Sequence, residues 1–558
     1  MTATEPTPWV DGLTVGEVLR ATAEAHPSAD AVVFPAQGLR WSWAELDRRV
    51  VAVASGLIRL GVVAGEHVGI WSMNVPEWVV AQFAVGRIGA VLVNINPSYR
   101  LHELEETLGQ ADVATLIVGS PFKSSDFVAM IGEACPEVAA ADGPSWRSAR
   151  LPSLRRLIAL ADRPGPGWLT WDDLASGGVD PSLPDRERSA RAGDVYNIQF
   201  TSGTTGLPKG AMLSHRNVLM NAYYIGDRAR YTAEDRVCVP VPFYHCFGCV
   251  LGTLTCAVYG AAIVVPGPAY DPGATLAAVA AERCTSLYGV PTMFVAEVDH
   301  RDRSSYDLSS LRTGIMAGSP CPLPLMEAVT TVLGARQITI GYGQTEASPI
   351  ITMTAADDPI EVRVGTVGRP LPGVEVRLVD PLTRRDVPPG EAGELWVRGH
   401  GVMSGYYKNP EATARAIDPD GWLATGDLAR VRDDGNYRIV GRCKELIIRG
   451  GENIYPPEVE EFLHHHPKVA EVAVVGLPDP KYGEVIAAWV VPRPGETLTA
   501  DDVRAFCRGQ IAHYKVPHYV EIADALPKTV TGKIRKHVLR DRGIARFGLG
   551  EAASVPTA

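Results

Sequence analysis

Between Trp41 and Ile95 the hydrophobic pattern changes period three times, and this limits what the chain can fold into more than any other feature. "WSWAELDRRVVAVASGLIRLGV" is apolar at helical spacing, "HVGIWS" is a short apolar strand, "EWVVAQFAVGRIG" returns to the helical period and "AVLVNI" is again a strand. Strand and helix in alternation predict an α/β fold with parallel sheet. Ser42, three residues before Glu45, predicts a capping box at the first of these helices. At 558 residues the chain exceeds one compact core, so two or more domains are expected.

Composition narrows the class. With 46% hydrophobic and 21% charged residues the chain is globular, and its net charge of −11 argues against a nucleic-acid partner. The nine cysteines are odd in number and "MTATEPTPWVDGL" carries no secretory leader, which together predict a reducing, cytoplasmic setting. The uncharged stretch from Gly248 to Val265 approaches the length of a membrane span. Pro240, Pro242 and Pro266 flank it, so it reads as a buried helix followed by the strand "AAIVV" rather than a span. Residues 136–194 are weaker in pattern and predict irregular structure, apart from the strand-like "LRRLIAL". "TVGRPLPGVEVRLVD", "GELWVRG" and "NYRIVG" predict short strands of an antiparallel subdomain, and a helix-and-strand block follows Arg442. The internal run His464–His466 reads as a solvated helix end, with no partner ligands in the sequence.

The stretch "QFTSGTTGLPKGAMLSHRNV" carries the first chemistry. A P-loop needs Gly, Lys, then Ser or Thr, starting five places after its first Gly. Counting from Gly203 gives Pro208, Lys209 and Gly210. "VYNIQF" reads as a strand, "SHRNVLMNAYYIG" as a helix capped by Ser214, and the loop between them ends at Lys209. The hydroxyls of Thr201, Ser202, Thr204 and Thr205, the backbone around Gly203 and the Lys209 ammonium suit an anion. A surface turn rich in Gly, Ser and Thr would look the same.

A second pattern is geometric. "LARVRDDGNYRIVG" places Asp434-Gly435 between two alternating runs, a hairpin signal. A symmetric hairpin centred there puts Asp427 opposite Arg442, as an ion pair or as two groups facing one ligand. "GYGQTE" adds glycines, the flat ring of Tyr342, which can stack on a base, and one carboxylate.

"TSGTTGLPKG" resembles the phosphate loop of the adenylate-forming superfamily, which includes acyl-CoA synthetases, peptide-synthetase adenylation domains and beetle luciferases. "PFYHCFG" (242–248), "GYGQTEASP" (341–349), the run from Gly421 to Glu460 and "LPKTVTGKIRK" (526–536) follow in the family's order. The block "RGGENIYPPEVEEFLHHHPKVAEVAVVG" is most similar to fatty-acyl-CoA synthetases of the medium-chain branch. The resemblance implies an N-terminal ATP- and acyl-binding domain over 1–442, made of helix-covered sheets with an antiparallel β-subdomain. It implies a small mobile α+β domain over 443–558.

It also implies roles. Thr345 touches the α-phosphate of ATP, Glu346 helps hold Mg²⁺, Asp427 holds the ribose with Arg442 assisting, and Gly318, Ser319 and Pro320 wall the adenine beside Gly341, Tyr342 and Gly343. His245 stands by the substrate carboxylate, with Tyr244, Phe247, Gly248, Tyr288 and Gly289 as acyl-pocket walls. Lys533 is the lysine of adenylation and Lys444 the hinge, while Gly450 and Gly451 line the path of the coenzyme A arm. The expected reaction joins a monocarboxylic acid of medium length to coenzyme A through acyl-AMP. Transfer to a carrier-protein phosphopantetheine, an aromatic or branched acid, and a non-catalytic nucleotide-binding scaffold remain alternatives, and a homodimer is left open.

Overall fold

The computed structural model describes residues 7–122, 125–201, 208–319, 321, 323–449, 452–529 and 533–550. The chain forms two compact units, one of residues 1–375 with 397–423, the other of 376–396 with 424–558.

The first unit contains two large sheets. In the eight-stranded sheet, Val195–Thr201, Val91–Ile95, His67–Trp71, Thr115–Val118, Arg156–Ala159 and Leu169–Thr170 run parallel, in that order. The nine-stranded sheet has a parallel centre and antiparallel pairs at both margins, Leu39–Ser42 at one and Ile350–Met353 with Arg369–Pro370 at the other. The predicted alternation is therefore present: helices Trp43–Arg59 and Pro76–Arg87 fall between strands where the period changes. His67–Trp71 is buried throughout, as a strand covered on both faces must be, and Trp71 stacks on Phe127 at 3.9 Å. "LRRLIAL" yields the strand Arg156–Ala159.

Only half of the predicted box at Ser42 forms. Its hydroxyl accepts the Glu45 N–H at 3.2 Å, but the Glu45 carboxylate pairs with Arg49, one turn on, at 2.7 Å. The stretch after Gly248 is a π-helix, Phe247–Leu254, continued by Thr255–Tyr259 and the strand Ala262–Val264. None of the described helices is long and apolar enough to cross a membrane.

Arg87 ends one buried helix with its side chain 6% exposed, and its guanidinium bonds both Asp47 and Glu187. Removing the cation leaves Glu187 its second partner, Arg20 at 2.7 Å, but takes from Asp47 the guanidinium that balances its charge. Arg87→Met should cost about 2–3 kcal/mol in the urea unfolding transition of the first unit, between an exposed pair and a fully buried one, because Asp47 is a quarter exposed and Glu187 keeps Arg20. A cost below about 1 kcal/mol, the value of an exposed pair, would show that water reaches the site.

The second unit holds most of a four-stranded sheet, in the order Val374–Val379, Gly393–Gly399, Leu423–Val431, Tyr437–Arg442. It also holds a five-stranded sheet built on the antiparallel pair Val469–Asp479 and Gly483–Pro492. Helices Pro456–His464, Ala500–Cys507 and Lys536–Arg546 accompany it. His464 closes the first of these helices, and among the described residues no cluster of His, Cys, Asp and Glu could hold a metal.

Candidate active site

Ligands of open α/β sheets gather outside the carboxyl ends of the parallel strands, and Thr201, Gly289, Gly318, Ser319 and Tyr342 lie there. Thr201 ends one strand of the eight-stranded sheet. Thr313–Ala317 and Gln337–Gly343 are parallel neighbours in the other sheet, with Ala317 level with Gly341, so Gly318, Ser319 and Tyr342 emerge side by side. The turn Thr345–Ala347 follows, and Glu346 is 9% exposed. Its Oε1 accepts the Thr201 hydroxyl at 3.1 Å and the Tyr406 hydroxyl at 2.9 Å. Residues 145 positions apart thus meet where the two sheets end. Gly343 is required here by packing, since a Cβ would lie 1.8 Å from the Pro349 carbonyl oxygen.

The structure adds an element to the first motif. Lys209, the predicted end of the loop, opens the strand Lys209–Ser214, antiparallel to Val195–Thr201 and paired on its other side with Gly405–Tyr406. Gly, Ala, Met and Ser carry little strand propensity, and the two neighbouring ladders decide the conformation. The pairing sets Lys209 directly opposite Thr201 and brings its ammonium 5.2 Å from the centre of the Tyr406 ring. Ser214 caps the helix His215–Arg228 as predicted. Ser202, Gly203, Thr204 and Thr205 lie outside the described residues, as do Pro320, Gly450 and Gly451. Tyr406 escaped the sequence reading. Its signal was the doublet in "SGYYKNP", whose first ring faces Glu346 and whose second reaches Asp112 at 2.8 Å.

His245 sits in a tight turn before the π-helix. Its Nδ1 accepts the Phe247 N–H at 3.1 Å, so the neutral ring carries its proton on Nε2, as a donor. Cys246 lies beside it, its Sγ 3.7 Å from the Thr345 hydroxyl, and burial pushes the Cys249 thiol well up, away from the thiolate. Neither cysteine is in a disulfide, and neither belongs to a metal-binding cluster among the described residues. At Gly248 a Cβ would fall 2.3 Å from the Pro242 carbonyl oxygen, so the turn closes only on glycine.

Buried amides hold this segment in place. Asn74 bonds the Val241 carbonyl and the Phe243 N–H at 2.9 and 2.8 Å, Asn94 reaches the Tyr244 carbonyl at 3.3 Å, and Gln82 donates to the Cys249 carbonyl at 2.9 Å. Phe247 stacks on Tyr288 at 5.7 Å, and Tyr288 and Gly289 close the strand Ser286–Gly289. The Tyr231 hydroxyl donates to that of Tyr288 at 3.1 Å. The predicted acyl-wall residues Phe247 and Tyr288 are therefore in contact.

In the second unit Asp427 and Arg442 pair across the ladder as the hairpin reading requires, with Arg442 Nε 3.0 Å from Asp427 Oδ1. The route differs. The Gly435 N–H bonds the Arg432 carbonyl and Arg432 pairs with Asn436, which makes a three-residue turn. A bulge between Leu428 and Ala429 restores the predicted register at the open end. Asp427 is buried and Arg442 half exposed. Lys444 lies in the turn Cys443–Glu445, next to Arg442. Lys533 is exposed at the base of a hairpin: its carbonyl accepts the Thr529 N–H at 2.7 Å and its N–H bonds the Thr529 hydroxyl at 3.1 Å.

Comparison with known proteins agrees with this architecture. The family model described as AMP-binding enzyme matches residues 19–407, and that of the AMP-binding enzyme C-terminal domain matches residues 458–533. A putative acyl-CoA synthetase, YngI of Bacillus subtilis, is 48% identical over 97% of this chain and 98% of its own. A mitochondrial medium-chain acyl-CoA ligase, ACSF2 of Danio rerio, is 42% identical over 96% and 89%. Among solved structures, the anthranilate CoA ligase AuaEII in complex with anthranoyl-AMP superposes with a TM-score of 0.83, at 26% identity over 96% of this chain and 98% of that one.

Proposed function

The chain belongs to the AMP-binding enzyme family, and from that premise we propose how its residues divide the work of an AMP-forming acyl-CoA synthetase acting on fatty acids of medium length. ATP, a carboxylic acid and coenzyme A are its substrates. The observation that carries the reading is the meeting of Thr201, Lys209, Glu346 and Tyr406 at the carboxyl ends of both sheets.

In the first half-reaction a carboxylate oxygen bonds to the α-phosphorus of ATP and the bond to pyrophosphate breaks. Like charges meet, so the chemistry is mostly positioning and neutralisation. Lys209 and the hydroxyls around it take the leaving phosphates. His245 stands beside the acid and orients it, Lys533 bridges acyl oxygen and α-phosphate, and Asp427 with Arg442 holds the ribose. Glu346 suits Mg²⁺, since both described partners of its Oε1 are neutral hydroxyls and leave its charge for a hard cation. Bound there, the ion would neutralise phosphate charge.

In the second half-reaction the coenzyme A sulfur bonds to the acyl carbon and AMP leaves. We assign residues 443–558 to a mobile domain turning about Lys444 between the two steps, with Gly450 and Gly451 on the pantetheine path. The nine cysteines, none of them in a disulfide, favour the cytoplasm.

A panel of straight-chain, branched and aromatic acids, assayed for AMP release with and without coenzyme A, tests the substrate class. Release should require coenzyme A and peak at one medium chain length. A peak on benzoate-like acids would favour the aromatic reading, and release without a thioester product would remove coenzyme A as acceptor.

A further inference from the structure

Lys536 reads in the sequence as one more cation in "GKIRKHVLR", a run that could lie wholly in solvent. Its surroundings are different. It opens the helix Lys536–Arg546, its side chain is 17% exposed, and its ammonium stands between two carboxylates. Glu460 Oε1, on the helix Pro456–His464, is 2.8 Å away, and Glu445 Oε2, in the turn Cys443–Glu445, is 3.2 Å away. Glu460 is fixed in turn by the Val474 N–H at 2.7 Å, in the edge strand Val469–Asp479 of the five-stranded sheet. Burial works against the ammonium, yet the two carboxylates outweigh it and hold its pKa above the ordinary lysine value. One side chain therefore ties together the helix start, the turn that contains Lys444, and the sheet.

Lys533 lies three residues before this anchor. The connection between them is short and held: Ile534 bridges to Lys528, its side chain packs against the buried cluster of Leu477, Leu526 and Leu539, and the Arg535 N–H bonds the Pro527 carbonyl at 2.8 Å. The backbone at Lys533 is thus fixed from the hairpin on one side and from Lys536 on the other. A buried ion pair adds little net stability over apolar packing, and its best-attested use is to fix register.

We propose that Lys536 is a positioning residue for Lys533, locking the segment 533–536 to the Cys443–Glu445 turn through Glu445 and to the helix Pro456–His464 through Glu460. The proposal rests on Lys533 serving adenylation. It places the effect of Lys536 in the first half-reaction alone, since the second is assigned to other residues of the unit.

The test measures each half-reaction separately in the full chain: acyl-AMP formation by pyrophosphate exchange, and thioester formation from supplied acyl-AMP and coenzyme A. Lys536→Met should slow the first by about 10- to 100-fold, the loss that misplacing a reacting group by an ångström brings, and leave the second within about threefold. Lys536→Arg, which can still reach both carboxylates, should restore exchange to within about fivefold of the parent. Equal losses in both half-reactions, or parental exchange by Lys536→Met, would overturn the proposal. Should the Met variant fail to fold, Glu460→Gln removes the charge of the 2.8 Å arm, its amide oxygen still able to accept the Val474 N–H, and should slow exchange about threefold to tenfold with transfer unchanged. Unchanged exchange in that variant overturns the proposal as well. Lys533→Ala, run alongside, separates the two ideas: parental exchange there removes the premise, while loss there and none in Lys536→Met removes only the anchor.

Discussion

Lys533→Ala should lower the rate of acyl-AMP formation by about 10³-fold, the upper range for removing one preorganised donor from a developing negative charge. The carboxylate and the α-phosphate repel each other as they approach, and the lysine is the one group assigned to touch both. Its side chain is exposed and its backbone is held through the main chain and the Thr529 hydroxyl, so truncation removes the ammonium and leaves the hairpin bonds in place. Transfer of supplied acyl-AMP to coenzyme A has no such repulsion to relieve and should stay within about threefold of the parent. Pyrophosphate exchange and thioester formation, measured on the same preparation, give the ratio directly. Undiminished exchange would move the assignment to another cation of this unit.

The sequence made the fold legible wherever one local rule governed the outcome. Period changes located the helices and strands between Trp41 and Ile95, because burial of one helix face leaves a 3.6-residue period and burial of both strand faces a short unbroken apolar run. The facing of Asp427 and Arg442 was legible for a less direct reason. The turn is one residue longer than a symmetric hairpin needs, and a bulge after Leu428 compensates, so the register at the open end survives two local departures. The strand Lys209–Ser214 was not legible, because its pairing partners supply what its side chains do not.

Long-range contacts were hidden for the same reason. Nothing local to Thr201 or Tyr406 points to Glu346, since the three are joined only once both sheets exist. The family motifs named Glu346 and Thr201 without their contact, and they passed over Tyr406. Lys536 was concealed by composition. A lysine in a basic run carries no mark of burial, and its two partners lie 76 and 91 positions earlier in the chain. The amides around Val241–Thr253 show the converse: Asn74, Gln82 and Asn94 sit in or beside apolar runs where a polar side chain is an anomaly, and each answers a backbone group of the turn and π-helix.

Glu346→Gln isolates charge from shape at the meeting point of the sheets. The amide oxygen can still accept the Thr201 and Tyr406 hydroxyls, now 3.1 and 2.9 Å from Oε1, so the local hydrogen bonds and the thermal midpoint should be retained. What is lost is the negative charge, and with it the hard oxygen anion that suits a divalent cation. Pyrophosphate exchange at low Mg²⁺ should fall by about 10²-fold or more, a loss typical of one electrostatic group at a phosphoryl-transfer site. Raising Mg²⁺ should recover part of it, because weaker binding is offset by concentration. The dependence on Mg²⁺ is the discriminating readout: a Glu346 that only braces Thr201 and Tyr406 would give a loss independent of the ion. Exchange within about threefold of the parent at every Mg²⁺ concentration would remove Glu346 from the reaction, since no electrostatic role at the phosphates is that weak.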